Sequence, residues 1–153
     1  MNNKEKFYNS IIVKFGFLLH ENFSVHAVVL LILNLLSAIT VTGIFNLFNY
    51  PLINYKITSF ILFVIIVTLL ELVVKTFVMR YFIDIIFKTF GMLTLIIHAL
   101  LFYLSEVIVN NFTFTNSVIL SILIFTVLFL IVRLLLINIY QKYVLKHLIK
   151  KEN

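Results

Sequence analysis

Glu71 and Lys75 stand four positions apart in residues 58–80, TSFILFVIIVTLLELVVKTFVMR, an otherwise nearly unbroken apolar run. On a helix that spacing puts acid and base on one face, and the acid-first order is the better one for a pair. The run is long enough to cross a bilayer, where an unpaired charge near the centre costs at least about 2.5 kcal/mol. Lys75 sits about 6 Å from Met79 at helical rise, so its stem can snorkel to the headgroups. Glu71 is shorter and lies about two and a half turns from Arg80, too deep to reach water alone. His98 and Arg133 interrupt two later apolar stretches. Counted by helical rise from one membrane face, Glu71 lies about 20 Å, Arg133 about 24 Å and His98 about 18 Å deep. We therefore expect an intramembrane ionic cluster of Glu71, Lys75, His98 and Arg133, with Glu71 paired to Lys75 or Arg133 and His98 near. Such a cluster has two readings. It fixes the register of the helices, or its carboxylate and imidazole titrate and make the bundle proton- or ion-responsive.

Other reactive constellations are thin. His20, Glu21 and His26 read HE-x4-H, one residue too long for two histidines to share the helical face that zinc requires. Cysteine is absent, which leaves no thiol nucleophile, thiolate ligand or disulfide. No glycine-rich phosphate loop, Walker lysine or G-x-S-x-G turn occurs. The expectation is a non-enzyme with no catalytic residue, no metal and no cofactor.

Composition fixes what must position the cluster. Apolar residues make up 63% of the 153-residue chain and charged residues only 12%, against roughly 45–50% and 25% in soluble domains. A chain this apolar cannot hide its side chains in a globule of its own size. The spacing of apolar runs predicts an all-α integral membrane four-helix bundle with an N-terminal amphipathic interfacial helix. The interfacial segment is residues 1–23. There Lys6, Ser10, Lys14 and Glu21 share one helical side, and Phe7, Ile11, Phe15 and Leu18 another. Lys14 and the lack of a small-x-small cleavage site argue against a signal peptide. The bundle occupies 24–140, with spans at about 25–48, 58–79, 90–109 and 117–140. In the first span Asn34, Ser37 and Val41 recur at helical spacing and mark a face packed on a neighbour. Residues 49–57 and 110–116 read as loops. Glu106, near the end of the third span, reads as a solvated helix end. Residues 141–153 form a basic amphipathic tail suited to anionic lipid headgroups.

Charge sets the orientation. The chain has 12 basic and 6 acidic residues, for a net charge of +6. Four spans put Lys4, Lys6, Lys14, Lys75, Arg80, Lys88, Arg133, Lys142, Lys146, Lys150 and Lys151 on one side and Lys56 alone on the other. The positive-inside rule then places both termini in the cytoplasm. Basic residues that flank apolar spans orient a membrane protein, and nucleic acid is not an expected partner. Abundant Ile, Phe, Asn and Lys, with three Gly and one Pro, fit a low-GC bacterial genome and a plasma-membrane location.

The stretches YKITSFILF, LLELVVK and YLSEVIVNNFTFTN resemble the YrvL family of small bacterial regulatory membrane proteins. The likeness covers roughly residues 50–132, with Tyr55, Glu71, Lys75 and Glu106 at the family's positions. Leu69 and Leu70 stand where a proline before the acid would be expected. The resemblance implies negative regulation of an extracytoplasmic-function-type sigma factor from the membrane. The cytoplasmic parts are too short to enclose such a factor. Contact with it, or with another membrane protein, would use residues 1–23, the loop 80–89 and the tail. Glu106, Arg80, Asp84 and Lys88 are therefore candidate signal or partner contacts. Two alternatives share the topology: a holin-like protein that forms pores as a homo-oligomer, and an accessory subunit of a larger membrane transporter.

Overall fold

A computed structural model describes residues 22–81, 89, 92–115 and 117–142. The expected interfacial helix, most of the loop with Asp84 and Lys88, and nearly all of the basic tail lie outside the described residues. The described residues form four helices: α1 (Phe23–Leu47), α2 (Ile57–Tyr81), α3 (Met92–Ile108) and α4 (Val118–Tyr140). Three of them, α1, α2 and α4, are long and apolar enough to cross a membrane. α3 has 17 residues and spans about 26 Å, slightly less than a hydrocarbon core of about 30 Å.

Each helix touches the next, and α1 closes the ring against α4. The outer surface is oily all round, with Ile32 and Leu36, Ile65 and Leu69, Ile96 and Leu100, and Ile131 and Leu135 exposed on successive helices. The interior holds Asn34, Ser37, Thr68, Glu71, His98, Ser105, Thr126 and Arg133, all buried. A soluble bundle has the opposite arrangement. Interior hydroxyls turn back onto their own helices: Ser37 donates to the Leu33 carbonyl, Thr68 to Val64 and Thr126 to Ile122. Each thereby satisfies itself without water.

One end of the bundle carries a feature not expected from the sequence. Two strands, β1 (Ile53–Tyr55) and β2 (Phe112–Phe114), pair antiparallel with Ile53 opposite Phe114 and Tyr55 opposite Phe112. They lie in the segments read as loops. The chain enters β1 through a tight helix end: the Tyr50 N–H donates to Phe45 O and the Asn49 N–H to Asn46 O. Asn49, at φ 55°, supplies the left-handed residue that this double closure requires. Pro51 then prevents the helix from resuming. In β2 the phenylalanines alternate inward around the exposed Thr113, the period-two pattern of a half-buried strand. Thr115 N–H donates to Leu52 O, its hydroxyl to Pro51 O, and Ser121 Oγ to Thr115 O.

Phe112 and Phe114 drive into the bundle end and meet Phe63 and Phe125, which in turn touch Phe102 and Phe129, all at most 4% exposed. Phe63 stacks on Phe112 with ring centroids 3.9 Å apart, and Phe102 meets Phe125 and Phe129 edge-on at 5.2 and 5.0 Å. This aromatic plug fills the hairpin end. A smaller apolar layer of Leu30, Leu33 and Ile137 lies toward the opposite end, where both described termini stand. The charged side chains occupy the level between the two.

Candidate functional site: a four-helix ionic knot

Each helix sends one or two polar side chains to the middle level. Glu71 and Lys75 come from α2, Arg133 from α4, His98 from α3 and Asn34 from α1. The structure thus brings together all four residues of the expected cluster. Glu71 Oε1 receives Arg133 Nη2 at 2.5 Å and Lys75 Nζ at 3.1 Å. Its other oxygen, Oε2, accepts from Asn34 Nδ2 at 2.9 Å, and the same amide nitrogen lies 3.1 Å from Thr68 Oγ1. Glu71 pairs with both cations rather than with one of them.

Of its two expected courses, Lys75 takes the pair with Glu71. Its side chain is 11% exposed and turns to Glu71 instead of snorkelling outward. The physical reason is proximity: the carboxylate one turn away offers an ion pair in a medium of low dielectric, where such a pair is far stronger than at a wet surface.

Arg133 ties two helices to its own. Nη2 holds Glu71 on α2, and Nη1 lies 2.9 Å from His98 Nε2 on α3. His98 in turn is anchored by Nδ1, 2.8 Å from the Thr94 carbonyl one turn back. A guanidinium only donates and a carbonyl only accepts, so these two contacts suit a ring with its proton on Nδ1 and a lone pair on Nε2. Nε2 also approaches Glu71 Oε1 at 3.5 Å, an ion pair when the ring carries a second proton. Phe102 and Phe129 flank the ring at 6.4 and 6.5 Å. Three buried polar atoms in the bundle have no partner among the described residues: Asn34 Oδ1, Ser105 Oγ and Arg133 Nε.

No family model, curated protein or solved structure matches the chain.

Asn34 is the residue the sequence reading assigned elsewhere. It was placed on a packing face, yet it holds the second oxygen of Glu71. The signal was present: Asn34 lies thirteen residues before the end of α1, about 20 Å from the hairpin face, close to the depth of the other members. The remaining candidates lie apart from the knot. Glu106, half-buried at the end of α3, accepts the Phe114 N–H at 2.9 Å and so clasps β2 to the helix. It is tied into the fold and is not the solvated helix end expected. Asp84 and Lys88 lie outside the described residues, as does the side chain of Arg80. His20 and Glu21 of the HE-x4-H stretch also lie outside them, and His26 is buried in α1.

Proposed function

We propose that the chain is a small multi-span regulatory protein of the bacterial plasma membrane, with both termini cytoplasmic. In this reading it acts as a negative regulator of an extracytoplasmic-function-type sigma factor, as the likeness to the YrvL family implies. The supporting observation is that the three stretches carrying the likeness build the two polar devices of the bundle. YKITSFILF supplies Tyr55, which stands opposite Phe112 in the strand pair. LLELVVK supplies Glu71 and Lys75 of the knot. YLSEVIVNNFTFTN supplies both Glu106 and the strand it clasps.

The interior polar groups are largely bonded to one another, and a plug of phenylalanine closes one end. That favours a protein acting through its ends over one that conducts solutes through its middle. Charge supports the orientation. With the buried Lys75 and Arg133 set aside, nine basic residues still flank the terminal end and only Lys56 the hairpin end. The terminal-end segments are thus the natural place for contact with a cytoplasmic partner and with anionic lipid.

Induced expression in a low-GC bacterium tests the reading. The expected result is a fall in transcripts of one sigma-dependent gene set, with membrane potential and dye exclusion intact. Lysis or dye leakage with unchanged transcripts would assign the chain to the holin-like class. Co-purification of a larger transporter, again with unchanged transcripts, would assign it to the accessory subunits.

A further inference from the structure

One member of the knot can exchange a hydrogen-bond acceptor for a donor, and it is not the carboxylate. Glu71 already receives donors from Arg133, Lys75 and Asn34. Arg133 does not give up its proton in proteins. Of the basic side chains in the described knot, His98 is the one that can present a lone pair, at Nε2 facing Arg133.

We propose that His98 is a proton-operated latch between α3 and α4: a proton taken at Nε2 breaks the contact with Arg133 and gives Glu71 a new partner. Proton uptake converts imidazole to imidazolium, with the proton drawn from bulk water and no other bond made or broken. The new N–H would then face Arg133 Nη1, a donor, across 2.9 Å. Two donors cannot share that separation. Glu71 Oε1 waits 3.5 Å from the same nitrogen and accepts the new proton once the ring tilts. The described knot then holds three cations around one carboxylate, and repulsion moves Arg133 away from the ring. Lys75, the most exposed side chain among the knot's ion pairs, is the cation best placed to turn outward.

The groups facing His98 can be named helix by helix. Glu71 and Lys75 face it from α2 and Arg133 from α4. α1 contributes the neutral amide of Asn34, and its ionisable His26 lies about 12 Å farther along the helix. On α3 itself Glu106 is about 12 Å away in the other direction and clasped to Phe114. The strands bring no carboxylate, histidine or cation, and the phenol of Tyr55 in β1 is exposed at the hairpin end. The aromatic plug covers the cluster on the hairpin side, and the thinner layer of Leu30, Leu33 and Ile137 covers it on the terminal side. The latch needs no partner protein and goes beyond the regulatory reading.

The chain has no cysteine, so a single introduced pair carries spin labels without background. Ile96→Cys on α3 and Leu135→Cys on α4 are both exposed positions facing lipid. In the full chain reconstituted in lipid nanodiscs, acidification from about pH 8 to about pH 5 covers the range in which histidine side chains change charge. The expected result is a displacement of the mean label distance by about 1–2 Å, the size of helix shifts at interfaces. The same pair with His98→Gln should hold one distance throughout, because the amide oxygen still accepts from Arg133 but takes up no proton. Nitrogen-15 resonance of the unsubstituted chain gives an independent reading, with the ring identified by coupling across its Arg133 N–H···N bond. One protonated nitrogen at high pH and two at low pH are expected. A ring that stays neutral across the range overturns the latch. So does a protonated ring with an unchanged label distance, or a displacement that persists in His98→Gln.

Discussion

At residue scale Arg133, like Glu71, bonds to two neighbouring helices from a third. A buried charge that loses its partner is strongly destabilising, by about 3–5 kcal/mol, whereas removing both partners together is often close to neutral. Arg133→Leu should therefore lower stability by about 3–5 kcal/mol, read by denaturant titration in micelles. Glu71→Leu combined with Arg133→Leu should lose less than the sum of the two single changes. Additive losses would show that the pair is not coupled. The composition of the knot was largely legible in the sequence, because ionisable residues in apolar runs are costly and helical rise gives their depth. Asn34 escaped because an amide in a span is as much at home on a packing face, and only the depth count separates the two uses. The double engagement of Arg133 was not legible, since depth says nothing about which way a helix is rotated.

The strand pair is the feature of element scale. Its segments, NYPLINYKI and NNFTFTN, hold five Asn and the chain's one Pro, residues that mark turns. The alternation of Phe and Thr at 112–115 was a strand signal, but three residues are too few to outweigh the surrounding loop chemistry. What turns this short stretch into a strand is tertiary: two phenylalanines packed into the bundle end and a carboxylate on the backbone N–H between helix and strand. Glu106→Ala should remove a charge-assisted bond of about 1.5–3 kcal/mol. The expected readout is local. Hydrogen exchange at the Phe114 amide should accelerate while the amides around Glu71 remain protected. Equal acceleration at both places would mean that the hairpin and the knot open as one unit.

At the scale of the molecule, the described residues form a bundle apolar outside, with a polar level held between two apolar layers within, and its apolar surface was the part most plainly written in composition. Four apolar stretches gave four helices, with ends displaced by a few residues at most. Orientation is open to a direct check in the cysteine-free chain. Lys56→Cys should react with a membrane-impermeant maleimide in intact cells, and Lys142→Cys only after permeabilisation. The reverse pattern would turn the protein over in the membrane.

The Glu71–Arg133 bond joins residues 62 positions apart in the chain. At a synthesis rate of about 5–20 residues per second, the acid is made several seconds before its arginine. During that interval only Asn34 and Lys75, already made or soon to follow, can shelter it. The nascent protein thus meets the membrane as a half-locked pair of helices, and α4, made later, brings the key.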